Sequence, residues 1–332
     1  MSLPRLSLAL EGGGLVLPPD GPIAVLMPRA GTDLSALPRA RVRVVTPLKP
    51  DHDAFAAAGY ECAPVLEGTA AAAVVFLPRA KAQARDLLAR AEAAVTPGGP
   101  VVVDGQKTDG ADSILRDLRG RVPVEGPISK AHGKIYWFAA DAALAGWRAP
   151  ERLRIAEGFV TAPGVFSADG IDPGSRLLAE AVPAGLAGNV ADMGAGWGYL
   201  AARLLARCPK LVRLELVEAD RIALECACEN VTDPRARFHW ADATRWRPEA
   251  PLDAVVMNPP FHSGRAADPA LGRAFIAQAA AVLRPGGTLW LVANRHLPYE
   301  AELDRHFTGT REIGGDARFK LLEARARSRA PR

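Results

Sequence analysis

Asn258-Pro259-Pro260-Phe261 is the stretch whose residue types say most about chemistry. It follows an apolar run, 252–257, that reads as a buried strand, so the turn should lie at the carboxyl end of that strand. The two prolines fix their own φ angles and hold the preceding backbone extended. The Asn258 side-chain oxygen and the Pro259 carbonyl could each accept one hydrogen of an NH₂ group, while Phe261 could stack on a flat ring. The turn therefore predicts a site that holds an exocyclic amine with its lone pair free to attack.

A glycine loop precedes this turn in the chain. Gly194, Gly196 and Gly198 follow Asp192 with the spacing D-x-G-x-G-x-G. Glycines let the backbone approach a ligand closely and turn sharply into a helix, but a dinucleotide site would have the spacing G-x-G-x-x-G. The Asp192 carboxylate would attract the ammonium and sulfonium of S-adenosylmethionine (SAM) and would repel a pyrophosphate. SAM is therefore the expected cofactor, ahead of a nicotinamide or flavin nucleotide.

Two further acids stand at predicted strand ends. Glu218 ends the strand after the glycine loop, where a carboxylate can accept both hydroxyls of a ribose. Asp242 ends the next strand and could accept from an adenine amine, with the Ala243 backbone completing that contact. A lone acid at a strand end is usually a solvated loop residue. Three acids at successive strand ends after a glycine loop favour a SAM site, and with the Asn258 turn they indicate an enzyme that methylates an amine.

The elements that must position these residues alternate between strand and helix. In the C-terminal half, strands are predicted over 188–192, 211–217, 238–241, 252–257 and 288–293, and helices over 199–208, 219–230 and 269–283. This alternation predicts an α/β fold, a parallel sheet with helices on both faces. The N-terminal half repeats part of the pattern, because 73–78 resembles 254–259 and 23–31 stands where 190–196 stands. The chain thus reads as a duplicated domain.

The chemistry has not been duplicated with the fold. In this comparison Leu77 replaces the asparagine, and Met27 and Arg29 stand near the places of Asp192 and Gly194. An arginine in the loop would crowd a cofactor and repel its sulfonium. We therefore expect residues 1–150 to form a degenerate methyltransferase-like domain without a SAM site, with an RNA-binding or structural role, and residues 151–332 to form the catalytic domain.

Bulk composition narrows the class of protein. The 332 residues are 49% hydrophobic, and 41 Lys and Arg face 37 Asp and Glu, a mildly basic balance that permits nucleic-acid binding without arguing for it. The four cysteines have no pairs at zinc spacing, so we expect reduced thiols and no metal. No signal peptide and no apolar run of about 18 residues is visible, so no membrane association is expected. The expectation is a soluble, cytoplasmic monomer.

From about residue 159 to residue 324 the chain resembles the bacterial small-subunit ribosomal RNA guanine-N2 methyltransferases and their large-subunit relatives. The resemblance rests on several segments in a fixed order. They are Pro163-Gly164-Val165-Phe166-Ser167, Asp172-Pro173-Gly174-Ser175-Arg176-Leu177-Leu178, the glycine loop, Asn258-Pro259-Pro260-Phe261-His262, Val292-Ala293-Asn294, Leu297-Pro298-Tyr299 and Arg318-Phe319-Lys320. An N-terminal duplicate that has lost its SAM site is also a feature of this family.

The resemblance implies two tandem Rossmann-like methyltransferase domains, with a seven-stranded, mostly parallel sheet in the catalytic one. It implies methylation of the exocyclic amine of a guanine in 16S ribosomal RNA, within the small ribosomal subunit. The roles that motif positions imply fall into three groups. SAM would be bound by Asp192, Gly194, Gly196, Glu218, Asp242, Ala243 and Asn258, with Phe166 and Ser167 over its methionine end. The base would be held by Asn258 and Phe261, and His262, Asn294, Arg318 and Lys320 would contact the substrate.

Outside the catalytic half, residues 129–138 mix cations with aromatic residues, as strand surfaces that stack RNA bases do. Lys130 and Lys134 are the candidate RNA contacts. An ordinary strand with inward aromatic residues and solvated lysines explains the same pattern, and the two interpretations stay open.

Three rival functions remain. A methyltransferase for a protein glutamine faces the same NH₂ problem, but tyrosine is usual at the position of Phe261 there and a degenerate duplicate is not. An adenine-N6 methyltransferase fits the turn as well. A non-catalytic ribosome-assembly factor would have no need of Asp192, Glu218, Asp242 and Asn258 together.

Overall fold

Two seven-stranded sheets, one in each half of the chain, organise the fold of the computed structural model, which describes residues 4–260 and 269–327. Phe261 and His262 lie outside the described residues. The chain divides into two compact units, Met1–Glu151 and Arg152–Arg332. No described helix is long and apolar enough to cross a membrane.

The N-terminal unit carries the first sheet. Its strands are β1 (Ile23–Leu26), β2 (Val42–Val45), β3 (Glu61–Ala63), β4 (Ala72–Phe76), β5 (Pro100–Gln106), β6 (Glu125–Lys130) and β7 (Gly133–Ala139). Its α-helices are α1 (Arg5–Glu11), α2 (Lys49–Ala57), α3 (Lys81–Ala94) and α4 (Ala111–Arg119).

The C-terminal unit begins with a short hairpin and continues into the second sheet. Its strands are β8 (Leu153–Arg154), β9 (Val160–Thr161), β10 (Gly188–Met193), β11 (Leu211–Glu218), β12 (Ala236–Trp240), β13 (Leu252–Met257), β14 (Leu283–Asn294), β15 (Phe307–Gly315) and β16 (Phe319–Ala326). Its α-helices are α5 (Pro173–Ala181), α6 (Tyr199–Arg207), α7 (Arg221–Asn230), α8 (Pro269–Val282) and α9 (Glu300–His306).

The two sheets share one topology. The strand order is β3-β2-β1-β4-β5-β7-β6 in the first sheet and β12-β11-β10-β13-β14-β16-β15 in the second. In each sheet the first five strands of that order are parallel, and the last two strands run antiparallel to their neighbours. The predicted α/β class with a mostly parallel seven-stranded sheet is confirmed, and so is the structural duplication.

Both faces of the second sheet are covered. Val190 of β10 packs in a cluster with residues of α5 and α6, whereas Ala191 and Met193 pack on the opposite face with residues of α8 and α9. A strand buried on both faces has to be apolar along its whole length. Asp192 is 1% exposed one residue before the end of this strand and is the exception among its buried residues. A buried acid in such a strand has to be explained by what it binds.

Hydrogen-bond register aligns the sheets residue by residue at the glycine loop. Met193 pairs with Val217 and the next amide, Gly194, donates to the Val217 carbonyl at 2.8 Å. In the first sheet Leu26 pairs with Val45, and the Met27 amide donates to that carbonyl at 2.8 Å. Met27 therefore corresponds to Gly194, and both have left-handed backbones, with φ of 57° and 79°. Counting from this pair, Asp192 corresponds to Val25 and Glu218 to Thr46.

The same comparison corrects the sequence alignment of the two halves. Met257 pairs with Leu291, four residues after Gly286-Gly287 within β14. Val75 pairs with Val103, four residues after Gly98-Gly99, which precede β5. Phe76, not Leu77, therefore corresponds to Asn258. Met27 corresponds to Gly194, where the sequence had placed it near Asp192. Similar apolar residues in a buried strand do not fix its register, whereas backbone hydrogen bonds do.

Candidate active site

A pocket opens at the carboxyl ends of β10 and β13, the edge of a parallel sheet where α/β proteins bind ligands. Six residues selected from the sequence line it: Phe166, Ser167, Asp192, Gly194, Gly196 and Asn258. Six others complete the lining: Asp172, Ser175, Ala195, Trp197, Tyr199 and Leu200. The strands thus bring the glycine loop and the asparagine turn together, as their order in the chain predicted.

Asp192 lies at the base of the pocket. Its Oδ2 atom is buried and has no hydrogen-bond partner among the described residues. Burial raises the pKa of Asp192 to about 8, and the nearby Glu218 carboxylate adds to the shift. A buried carboxylate without a partner is costly unless a cation compensates it. The side chain is therefore suited to a positively charged ligand.

Glu218 stands at the end of β11 beside the loop. Its Oε2 accepts from the Gly196 amide at 2.7 Å and its Oε1 accepts from the Asp220 amide at 2.8 Å. Burial raises the pKa of Glu218 to about 7, against the lowering effect of these hydrogen bonds. An ionised carboxylate offers about four acceptor positions, so these backbone bonds leave capacity for a ligand hydroxyl.

The loop glycines serve different purposes. Gly194, Gly196 and Gly198 all have left-handed backbones, with φ of 79°, 55° and 87°. A Cβ on Gly198 would lie 3.1 Å from Ala227 of α7, so this glycine permits close helix contact. A Cβ on Gly196 would meet nothing within 4 Å. The backbone of Gly196 therefore faces open space that a ligand can enter, which fits the expected cofactor.

Asn258 is held by two residues that sequence reasoning had not selected for the site. Its Nδ2 donates to Asp172 Oδ2 at 2.9 Å and to Ser175 Oγ at 2.8 Å. Its Oδ1 is buried and has no partner among the described residues. Asp172 also accepts from the Ser175 amide at 2.7 Å as the N-cap of α5. The available signal was a capping pattern, Asp172-Pro173-Gly174-Ser175, which predicts a helix start and gives no hint of the distant asparagine.

Phe166 and Ser167 form the outer wall of the pocket. The Phe166 side chain is 59% exposed, and its carbonyl accepts from Trp197 Nε1 at 3.0 Å. Ser167 has a left-handed backbone with φ of 52°, and its hydroxyl donates to the Gly170 carbonyl at 2.7 Å. The segment is thereby fixed while the phenyl ring stays accessible.

Asp242 and Ala243 are not among the lining residues. Asp242 Oδ1 accepts from the Thr244 amide at 2.9 Å and from the Thr244 hydroxyl at 2.6 Å. Ala243 is buried, 3% exposed. The structure therefore gives Asp242 a local partner at the end of β12, and its adenine contact stays a prediction.

The expected substrate residues of the last strands lie apart from this lining. Lys320 is 5% exposed, and its ammonium is engaged by the Glu300 carboxylate at the start of α9. Arg318 lies with its guanidinium carbon 5.0 Å from the centre of the Phe319 ring, and Asn294 pairs with Phe319 across β14 and β16. The burial of Lys320 and its ion pair with Glu300 leave it little freedom to reach a substrate, which the residue pattern alone could not reveal.

In the N-terminal unit, residues 129–138 lie within the β6–β7 hairpin, whose turn is Ala131-His132. Lys130 and Lys134 line a surface depression of this unit together with Lys107 and His132. Lys134 Nζ lies 2.6 Å from an Asp112 carboxylate oxygen. Lys130 is therefore the less engaged of the two lysines selected from the sequence.

No group of three or more His, Cys, Asp or Glu residues that could hold a metal ion occurs within residues 4–260 and 269–327. The donors of the pocket are carboxylate and amide oxygens facing an open glycine loop. Together with the buried Asp192 oxygen that has no partner, this set fits a cationic ligand with hydroxyl groups, as SAM is.

Comparisons with known proteins agree with this chemistry. The family described as "Methyltransferase small domain" matches residues 157–323. Ribosomal RNA small subunit methyltransferase C of Shewanella loihica is 31% identical over 266 residues, which cover 76% of this chain and 77% of that protein. Ribosomal RNA large subunit methyltransferase G of Streptomyces coelicolor is 31% identical over 266 residues, 76% of this chain and 71% of that protein.

A solved structure extends the similarity to nearly the whole chain. The T. thermophilus 16S rRNA N2 methyltransferase RsmC, in complex with AdoMet and guanosine, is 26% identical with a TM-score of 0.77, covering 94% of this chain and 90% of that one. The chain therefore belongs to the methyltransferase small domain family, within the ribosomal RNA small subunit methyltransferase C group.

Proposed function

We propose that this protein transfers the methyl group of SAM to the exocyclic N2 amine of a guanine in 16S ribosomal RNA. The observation that carries the proposal is the Asn258 Oδ1 atom, which is buried and lacks a partner in a pocket shared with the glycine loop. A buried acceptor without a donor is costly, and an NH₂ group entering the pocket would supply the donor. The guanine and 16S assignment comes from similarity to the T. thermophilus enzyme.

Asn258 would act by positioning. Its Oδ1 would accept one amine hydrogen and the Pro259 carbonyl the other, which points the nitrogen lone pair toward the methyl donor. Pro260 would keep the turn rigid, because each proline fixes its own φ. Holding two reactants in line can supply about 7–11 kcal/mol at best, so no side-chain base is needed. When bound, SAM supplies an electrophilic methyl group whose leaving group is the neutral thioether formed as the C–S bond breaks, and the proton that the methylated amine loses passes to water.

The cofactor would be held by the residues around the loop. Asp192 would face its positive charge, Glu218 would accept from its ribose hydroxyls, and the backbones of Gly194 and Gly196 would allow close approach. Phe166 and Ser167 would cover its methionine end. The adenine contact of Asp242 and Ala243 belongs to the same proposal.

The substrate would be an unpaired or flipped base. A guanine within a helix has to leave its stack to reach a pocket at the sheet edge. Phe261 would replace part of the lost stacking at about 1–3 kcal/mol, with His262, Asn294 and Arg318 near the bound nucleotide. Lys320 would not contact the substrate directly. It would instead support the nearby strand end through its ion pair with Glu300.

Residues 1–150 would be an inactive copy that holds flanking RNA in the small subunit. Val25, Thr46 and Phe76 occupy the positions of Asp192, Glu218 and Asn258, so this unit offers none of the three polar contacts. Lys130 and Lys134 at the β6–β7 hairpin would approach RNA phosphates.

The test is methylation with tritiated SAM, using small ribosomal subunits and 16S RNA that lack the modification, with release factors as protein substrates. We expect label in N2-methylguanosine only, and a fall in turnover of about 10²–10³-fold for Asn258→Ala with SAM affinity unchanged. Label confined to N6-methyladenosine or to protein would establish one of the rival methyltransferases. SAM binding without any transfer would favour the assembly-factor alternative.

A further inference from the structure

Asp172 Oδ2 joins two parts of the active site, the start of α5 and the Asn258 side chain. It accepts from the Ser175 amide at 2.7 Å, which caps α5, and from Asn258 Nδ2 at 2.9 Å. The Ser175 hydroxyl lies 2.8 Å from the same Nδ2 atom. The start of α5 therefore contacts the amide that the proposed mechanism uses.

The chemistry of the two groups decides which way the amide faces. A primary amide has one donor end and one acceptor end, and rotating it by half a turn exchanges them. A carboxylate only accepts, so it can face the NH₂ end alone. In the rotated state the Asn258 oxygen would oppose the Asp172 oxygen, and an NH₂ group would face the pocket. The NH₂ group of the rotated amide would then face the NH₂ group of the substrate, and two donors cannot form a hydrogen bond with each other.

We propose that Asp172, assisted by Ser175, is a positioning residue that locks the Asn258 amide with Oδ1 toward the substrate amine. This inference rests on the proposed role of Asn258 as the amine acceptor. Asp172 and Ser175 would not touch the reacting atoms themselves. Their effect on turnover would pass through the orientation of one amide.

The contacts between Asp172, Ser175 and Asn258 are fixed in place because Asp172 and Ser175 belong to the start of α5. Pro173 occupies the first turn of α5, where its fixed φ is already helical. A Cβ on Gly174 would lie 3.1 Å from Asp172 Oδ2 and 3.2 Å from the Phe319 ring, so this position is closely packed. Ser175 is 9% exposed. Asp172 Oδ2 is held in this setting by the Ser175 amide and by Asn258 Nδ2.

Substitutions separate the orienting role from the capping role. Asp172→Ser and Asp172→Thr keep a good N-cap but are too short to reach Asn258. We expect both to lower kcat roughly 10- to 100-fold, as a displaced reactive partner does, with the dissociation constant for SAM within about threefold of wild type. Asp172→Asn keeps one oxygen for both bonds and should retain most of the turnover. Equal losses in Asp172→Asn and Asp172→Ser would assign the effect to charge and overturn the orientation role.

A double-mutant cycle with Asn258→Ala tests whether the effect passes through the amide. If it does, Asp172→Ser should cause less than about a twofold further loss in the Asn258→Ala background, since the group that it orients is already gone. If the kcat losses of the two single substitutions multiply in the double variant, the inference is overturned. A fully active Asp172→Ser enzyme would overturn it as well. A fully active Asn258→Ala enzyme would instead refute the role of Asn258 as amine acceptor and leave the methyl-transfer function standing. Ser175→Ala, which leaves cap and carboxylate intact, should give a smaller loss in kcat, and no loss would remove Ser175 from the lock.

Discussion

The Glu218 carboxylate accepts from the Gly196 amide at 2.7 Å and so ties the end of β11 to the glycine loop. Its second oxygen accepts from the Asp220 amide at 2.8 Å, just before α7 begins. One side chain therefore connects the end of β11, the glycine loop and the segment before α7. The shape of the glycine loop and the proposed recognition of the ligand therefore depend on the same carboxylate.

Glu218→Ala should weaken SAM binding by about 1.5–3 kcal/mol, the usual value of a hydrogen bond to a charged group, or roughly 10- to 150-fold. Titration calorimetry measures this directly. Glu249→Ala is the matched control, because that side chain is 91% exposed and lies outside the pocket. An unchanged SAM affinity for Glu218→Ala would show that the ribose is held elsewhere.

SAM binding should depend on pH between 6 and 8. Burial raises the pKa of Asp192 to about 8 and that of Glu218 to about 7 in the SAM-free protein. The positive charge of SAM favours the ionised forms, so binding below pH 8 should release protons. Affinity should rise with pH, by at most about tenfold per unit for each proton released, and level off above the upper pKa. Calorimetry in buffers of different ionisation enthalpy counts the protons.

The same two pKa shifts determine how the stability of the folded protein changes with pH. Both folded-state pKa values lie above the ordinary values of 3.8 and 4.5, so folding favours the protonated acids. Their contribution to stability is present below pH 4 and is lost as pH rises through 7 and 8. We expect the increase in Tm on adding SAM to be larger at pH 8 than at pH 6. Asp192→Asn should flatten this difference, and a difference of opposite sign would contradict the assignment.

One SAM molecule should bind per chain. The N-terminal counterparts of the three polar contacts are Val25, Thr46 and Phe76, and none offers a carboxylate. Calorimetry on the full protein should give a stoichiometry of one, and no tight site should remain when Asp192 and Glu218 are both replaced by alanine. A residual micromolar site in that variant would contradict the inactive-copy assignment.

Lys130→Ala should weaken RNA binding and leave SAM affinity unchanged. If Lys130 contacts one phosphate, the slope of log affinity against log salt should fall by roughly one. Filter binding of small-subunit RNA at several salt concentrations measures the slope. Lys210→Ala is the control, since it removes an exposed lysine from a turn of the C-terminal unit. Equal effects of the two substitutions would point to general charge and away from a contact at the hairpin.

Sequence reasoning succeeded where structure is local. The apolar run 252–257 is β13, and the helix predicted over 199–208 is observed as Tyr199–Arg207. It failed where the contact is distant. Asp172 and Asn258 are 86 residues apart, and only the folded sheet brings them together. The burial of Lys320 against Glu300 was missed for the same reason, because a lysine in a motif looks the same whether its ammonium is free or paired.

Met27 has a left-handed backbone at the position that corresponds to Gly194. This conformation costs a non-glycine residue about 1–2 kcal/mol, so the turn accommodates Met27 at a loss of stability. Gly194 adopts the same conformation at the corresponding position without that cost. The two units therefore share one backbone path at this loop, and of the two residues Gly194 alone is of the type that the path favours.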